Sequence, residues 1–195
     1  DPEGTLAWGS APPAVDNFFG GDLQGVIDGL PYLDSLGVDV LYLNPVFTAP
    51  SNHKYDTVNF LEVDPHFGDT ELLRKLIEKA HARNMKVVID GVFNHVSDRH
   101  PWFRDAVEWG RESAYWSWFK VHGDAIVRAP VPNFEAWGGL ASMPELNTDN
   151  PEVREYLFGV IRTWMDLGVD GWRLDVPAEL PHHFWVQTRE TIKAM

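Results

Sequence analysis

Val169-Asp170-Gly171-Trp172-Arg173-Leu174-Asp175 is a short apolar run that leaves a glycine and closes on a carboxylate. Its branched and aromatic content, bounded by Gly168 and polar residues, reads as a buried parallel strand. Strand side chains alternate, so Arg173 and Asp175 share one face while Trp172 and Leu174 take the other. A guanidinium therefore stands beside a carboxylate, a neighbour that favours the charged form of an acid. An isolated Arg-x-Asp is more often a buried pair that merely finishes a strand.

Two further runs have the same character, Val38-Asp39-Val40-Leu41-Tyr42-Leu43 and Lys86-Val87-Val88-Ile89-Asp90. Each of the three follows an amphipathic segment. Asp22 to Leu36 carries Leu23, Val26, Ile27, Leu30 and Leu33 at helical spacing, is stopped by Gly37, and holds Pro31 where a kink is expected. Thr70 to Arg83 follows the cap Asp69 and ends at Asn84. The third helix starts from Asp149 or Asn150 with Pro151 at its first position, and ends at Gly168. A fourth, weaker pattern covers His182 to Ala194.

Helix and strand in alternation predict an α/β protein with a parallel sheet, either doubly wound or a (β/α)8 barrel. No GxGxxG follows a strand. Strand starts lie about 48 and then about 83 residues apart, against roughly 30 for a plain βα unit. Something is inserted after Asp90. The expected organisation is a barrel segment over 1–94, an inserted subdomain over 95–147 and a second barrel segment over 148–195.

The 195 residues carry a net charge of -13 and no basic stretch, which works against binding nucleic acid or anionic lipid. No apolar run approaches a membrane span, and the first residues resemble no targeting segment. The absence of cysteine removes thiolate chemistry and leaves the compartment open, with the cytoplasm as the default expectation. A neutral substrate fits this charge balance. Nine Trp and eleven Phe exceed what a Leu/Val core needs, and Trp102, Trp109, Trp116, Trp118 and Trp137 crowd one region; taken singly such rings are more often core, where aromatics dominate buried area, but as a group their flat faces would suit sugars.

Polar residues gather where the three strands end: Asn44; Asp90, Asn94 and His95; Arg173 and Asp175. In parallel α/β folds that is the active face. Zinc ligation fails for want of an H-E-x-x-H or comparable spacing, and a serine hydrolase for want of G-x-S-x-G.

Four segments carry a family likeness. Asp90-Gly91-Val92-Phe93-Asn94-His95, Gly171-Trp172-Arg173-Leu174-Asp175-Val176, Met143-Pro144-Glu145-Leu146-Asn147 and Asn44-Pro45-Val46-Phe47-Thr48-Ala49-Pro50-Ser51-Asn52-His53-Lys54-Tyr55-Asp56 resemble, in order and spacing, motifs of the alpha-amylase superfamily, and within it the neopullulanase, cyclomaltodextrinase and maltogenic amylase branch. The likeness covers essentially the whole chain. It implies roughly strands two to four of a (β/α)8 barrel and a retaining hydrolysis of α-glucans or maltooligosaccharides.

In that scheme Asp175 is the nucleophile and Arg173 orients it. His95 bonds sugar hydroxyls, Tyr55 stacks beneath the ring, His53 touches substrate, and Asp90 and Asn94 hold the strand ends. The branch also implies a structural calcium, with the Gly20 carbonyl, the Asp22 carboxylate and Asp1 as ligands. Asp22 serves equally well as a helix cap, and these oxygens fall short of the six to eight that calcium takes.

The general acid of the family is a Glu on the next strand, expected beyond Met195, and Glu179 follows Asp175 too soon to replace it. The family's first strand and its later His-Asp pair are likewise not found, and Pro177 and Pro181 depart from its pattern. The 195 residues alone are therefore expected to be inactive, with open sheet edges that a homodimer would shield. A non-catalytic amylase-like domain and a transglycosylase or isomerase of the same superfamily stay open as alternatives.

Overall fold

The computed structural model describes residues 5–14 and 17–195. Its centre is a parallel sheet in the order β1 (Val40–Leu43), β4 (Lys86–Gly91), β5 (Gly171–Leu174), flanked in sequence by α1 (Leu23–Ser35), α2 (Thr70–His81), α4 (Pro151–Leu167) and α5 (His182–Lys193). Neighbouring strands are successive in this helix-strand alternation, as in part of a (β/α)8 barrel. The register sets Tyr42 opposite Val88 and Asp90 opposite Arg173. Pairing alone thus brings the β4 carboxylate to the β5 guanidinium.

The helices begin where local chemistry says they should. Asp22 accepts from the Gly25 N–H, Asp69 from Leu72 and Asn150 from Glu152, each satisfying a backbone donor that a first turn leaves free. Asn150, not Asp149, is the cap of α4. Gly168 ends α4 at φ 114°, a left-handed turn that glycine takes without a Cβ clash. Helix α1 continues through Pro31, which sits on its exposed side, so the expected break does not occur. Leu30, Leu73, Leu76, Val87, Ile89, Leu157, Ile161 and Trp164 are sealed between the sheet and its helices.

Two elements were not legible from periodicity. Between β1 and α2 the chain forms an antiparallel hairpin of β2 (Phe47–Thr48) and β3 (Asn59–Val63), joined by the loop that carries His53, Lys54 and Tyr55. Trp164 of α4 donates to the Phe60 carbonyl at 2.8 Å and fixes that hairpin against the core. After β4, α3 (Pro101–Trp109) opens the 95–147 region, which otherwise holds short 3-10 turns and single bridges. Its two ends meet: His95 pairs with Glu145, and the Leu146 N–H donates to the Asn94 carbonyl at 2.8 Å. The excursion therefore returns to its own starting point beside the sheet.

Candidate active site

Beyond β4 and β5 a pocket of about 420 Å³ is lined by His53, Tyr55, His95, Trp137, Leu140, Met143 and Asp175. The β2–β3 loop supplies the first two residues, the 95–147 excursion the next four, and the position just after β5 the last. Asp175 is 8% exposed, and its backbone N–H donates to the Gly91 carbonyl at 3.1 Å. It is the one carboxyl among the described residues that lines this pocket.

One guanidinium nitrogen of Arg173 donates to both Asp90 oxygens, at 3.1 and 3.2 Å, and to Asp175 at 2.6 Å. Asp90 is 1% exposed and also accepts from the hydroxyls of Tyr42 at 2.5 Å and Tyr55 at 3.2 Å. Burial first, and then the Asp90 charge, push both phenols above their ordinary range, so they remain donors. The Arg173 guanidinium is held still more firmly protonated, chiefly by its bond to Asp175. The result is a fixed charge arrangement: Arg173 locked between two carboxylates, one tied down by two phenols and the other facing open space.

Gly91 is demanded by this packing. A Cβ there would stand 2.6 Å from the Phe93 ring and 3.2 Å from that of Trp172, which pack together at 5.4 Å.

His95 is 1% exposed, and burial pulls its pKa down to about 4 despite the opposing pull of Asp175. It is thus a neutral imidazole near pH 7. Its Nδ1 lies 3.4 Å from the Asn94 amide, its ring stacks on Trp137 at 5.6 Å and is drawn towards the Tyr55 backbone carbonyl, and its Nε2 is buried with no close hydrogen-bond partner among the described residues. A buried polar atom without a partner is costly and rare in native proteins, and this one belongs to a residue at the wall of the pocket. Asn94 also bonds the Glu145 carboxyl, which burial, before any other cause, raises above its usual range.

His53 and Tyr55 reach the pocket together because of what lies between them. Lys54 turns the chain at φ 63° and points away, fully buried, with its ammonium 2.7 Å from Asp64 and 2.9 Å from the Ala49 carbonyl. Asp64 in turn accepts from the N–H groups of Ala49 and His66, at 3.0 and 2.9 Å. Burial alone would raise its pKa, but these bonds, led by that of Lys54, outweigh it and hold Asp64 low.

All seven expected site residues on the barrel motifs, Asp175, Arg173, His95, Tyr55, His53, Asp90 and Asn94, are thus brought into one neighbourhood. Sequence reasoning missed Tyr42, although strand alternation already put it on one face with Val40, and it named Trp137 only as one of several crowded rings. Met143 opens one of the quoted motifs but was given no role there, and Leu140 had no local signal.

The Gly20–Asp22 pair stands apart from this pocket. Asp22 spends one oxygen on the cap of α1, accepting from Gly25 at 2.7 Å. Two oxygens, with Asp22 already accepting from Gly25, fall short of the six to eight that calcium takes; among the described residues no group of three or more His, Cys, Asp or Glu could hold a metal ion. Asp1 lies outside the described residues. No helix among those described is long and apolar enough to cross a membrane.

The alpha amylase catalytic-domain family matches residues 3–191. The chain is 49% identical to the maltogenic alpha-amylase of Bacillus acidopullulyticus, over all of its own length and 33% of that relative's. It is 47% identical to neopullulanase 2 of Thermoactinomyces vulgaris, again over 100% of this chain and 34% of the relative. Among solved structures, the cyclic alpha-maltosyl-(1-->6)-maltose hydrolase from Arthrobacter globiformis, in complex with cyclic alpha-maltosyl-(1-->6)-maltose, superimposes with a TM-score of 0.95 at 42% identity, covering 100% of this chain and 44% of that one. The chain thus spans about a third of the curated relatives it matches. With an alternating parallel sheet, a carboxylate and guanidinium at its strand ends, and a family match over nearly its whole length, the chain belongs to the alpha-amylase catalytic-domain family.

Proposed function

We propose that the protein carrying this chain hydrolyses α-glucosidic bonds of maltooligosaccharides or related α-glucans with retention of configuration, using Asp175 as the nucleophile. The observation that carries this reading is the Asp175 carboxylate, anchored by Arg173 and lining one pocket with the neutral imidazole of His95. In the first step a carboxylate oxygen of Asp175 attacks the anomeric carbon and the bond to the leaving oxygen breaks, giving a covalent glycosyl-enzyme. Arg173 fixes the direction of attack, and Asp90 keeps Arg173 in place. Neutral His95 offers a hydrogen bond to a sugar hydroxyl, Trp137 and Tyr55 offer ring faces, and His53 lines the same wall.

A retaining glycosidase needs a second carboxyl about 5 Å from the first. Asp175 is the single pocket carboxyl among the described residues, so in this reading the acid comes from a neighbouring strand of the complete barrel, and residues 1–195 alone position a sugar without completing its hydrolysis. Retention of Asp90, His95, Arg173 and Asp175 together argues against a non-catalytic amylase-like domain. Water and a second sugar compete for the same intermediate, and product analysis separates hydrolysis from transglycosylation. A cytoplasmic setting accords with a relative 46% identical that is named an intracellular maltogenic amylase, from Bacillus subtilis.

The test is to trap the intermediate with a fluorinated α-glucosyl fluoride, whose leaving group needs no proton from an acid. Mass spectrometry is expected to find the glucosyl adduct on the peptide containing Asp175, and to lose it in Asp175→Asn. An adduct on another carboxyl, or one that survives in Asp175→Asn, overturns the assignment.

A further inference from the structure

We propose a second carbohydrate site, in a cleft of about 710 Å³ between the β2–β3 hairpin, the start of α3 and the start of α4, and assign to it a stretch of neutral glucan chain. The choice of glucan rests on the functional reading above; the cleft itself does not. It is larger than the Asp175 pocket of about 420 Å³ and lies within the roughly 300–1,000 Å³ range of small-molecule sites.

The wall of the cleft is an aromatic corner. Trp102 and Tyr156 meet at 4.5 Å with their planes at 90°, so the two rings form adjoining apolar surfaces of the kind on which the C–H face of a pyranose packs.

Around this corner stand polar groups that the protein leaves unmatched. His100 is only 2% exposed; its Nδ1 accepts from the Trp102 backbone N–H at 3.3 Å, so the proton sits on Nε2. Burial lowers the pKa of His100 to about 3, so this group is an uncharged donor. The Asn59 carbonyl oxygen is taken by the Leu61 N–H, but the amide NH2 is free among the described residues, as are the Trp102 indole N–H and the Tyr156 hydroxyl. Arg99 and Glu62, one charge of each sign, complete the lining without an ion pair to any described residue.

Opposite charges that offset each other, with neutral donors between ring faces, match hydroxyls better than they match an anion or a cation. A hexose supplies both donors and acceptors on its edge and apolar C–H groups on its faces.

The cleft is also tied to the catalytic pocket by a single segment. His95 faces the pocket and His100 the cleft, and five residues of extended chain span at most about 17 Å. The segment between them is held in place where the Ser97 N–H donates to the Thr57 carbonyl at 2.9 Å. A glucan held at Trp102 therefore raises the local concentration of glucan at Asp175.

Labelling the tryptophans with 5-fluorotryptophan gives each indole its own fluorine signal, and Trp102→Phe and Trp137→Phe assign the two that matter. Titration with maltotriose is expected to shift both signals saturably. Asn59→Ala, which leaves the rings in place, is expected to weaken the response at Trp102 by about three- to tenfold while sparing that at Trp137. A shift at Trp137 alone overturns the second site and leaves the functional reading standing. A shift at Trp102 alone supports the second site and counts against sugar binding at Asp175. Silence at both overturns both, and a response of Trp102 to inorganic phosphate but not to maltotriose overturns the assignment in favour of an anion at Arg99.

Discussion

Replacing Lys54 by Met removes the charge that Asp64 is buried against, without leaving a large hole. In the wild-type protein the ammonium, 0% exposed, sits 2.7 Å from a carboxylate 2% exposed and 4.9 Å from the centre of the Phe18 ring. Breaking a buried pair from one side costs about 3–5 kcal/mol, because the remaining charge stays out of water uncompensated. At about 2–4 °C per kcal/mol for a domain of this size, Lys54→Met is expected to lower Tm by roughly 6–20 °C at pH 7.5.

The sign of the pH dependence follows from Asp64. A carboxyl whose folded pKa lies below its unfolded value of about 3.9 stabilises the fold fully above that value and loses the contribution as pH falls through the folded one. In Lys54→Met the carboxyl is buried with only the Ala49 and His66 N–H groups and the His66 ring against it, so protonation relieves it. The deficit is expected to be largest at pH 7.5 and to shrink by pH 5. Lys54→Met/Asp64→Asn, which keeps a carbonyl for the two N–H donors, should recover most of the loss. Differential scanning calorimetry at the two pH values decides the matter. A Tm within about 2 °C of wild type at pH 7.5, or an equal deficit at pH 5, would refute the reasoning.

The two buried imidazoles, His95 near 4 and His100 near 3, bind their protons less readily than the unfolded value of about 6.5, so stability is expected to fall as pH drops from about 6.5 towards 4. His100→Asn should flatten that slope in denaturant titrations, and an unchanged slope contradicts it. Asp22→Ala removes the cap of α1 and should cost about 1 kcal/mol with or without calcium; a stabilisation by calcium that vanishes in Asp22→Ala would instead establish a cation at that residue. Val176 follows Asp175 at φ 37° and precedes Pro177, a strained position for a β-branched residue. Val176→Gly should leave Tm within about 2 °C or raise it while slowing glycosylation of Asp175, and a fall in Tm beyond about 5 °C would show that the valine is not strained.

The parts of this fold legible in sequence are those dictated by near neighbours. Caps such as Asp69, the stop at Gly168 and the apolar stripe of α2 depend on a few adjacent residues, and period-two alternation placed Arg173 and Asp175 on one face before any contact was known. The hairpin escaped detection because β2 spans two residues and its register shifts between Phe47 and Thr48, leaving no period to read. Helix α3 was hidden inside an excursion dense in aromatic residues, where Phe103 and Ala106 give it only two buried positions. The site showed the same division. Arg173 and Asp175 could be set side by side from strand alternation, whereas the pairing of Arg173 with Asp90 needed the strand register, and the arrival of Trp137, Leu140 and Met143 at the pocket depends on an excursion whose two ends join only in three dimensions.

Two non-glycine residues with left-handed backbones, Lys54 and Val176, adjoin residues that line the pocket, His53 and Tyr55 in one case and Asp175 in the other. At Lys54 the turn at φ 63° sends one side chain into the interior while its neighbours His53 and Tyr55 face the pocket, and the ion pair with Asp64 supplies the interaction energy that holds the turn. Asn52 extends the same clamp outward, donating to the carbonyls of Ala14 and Asn17 at 2.7 and 3.0 Å. A loop with only two strand residues before it would otherwise be free to swing, and Tyr55 would lose its 3.2 Å bond to Asp90. The buried lysine, which takes no part in the chemistry, thus fixes the distance between the β2–β3 loop and β4. Under the proposed function, that distance would set whether a sugar ring resting on Tyr55 presents its anomeric carbon to Asp175.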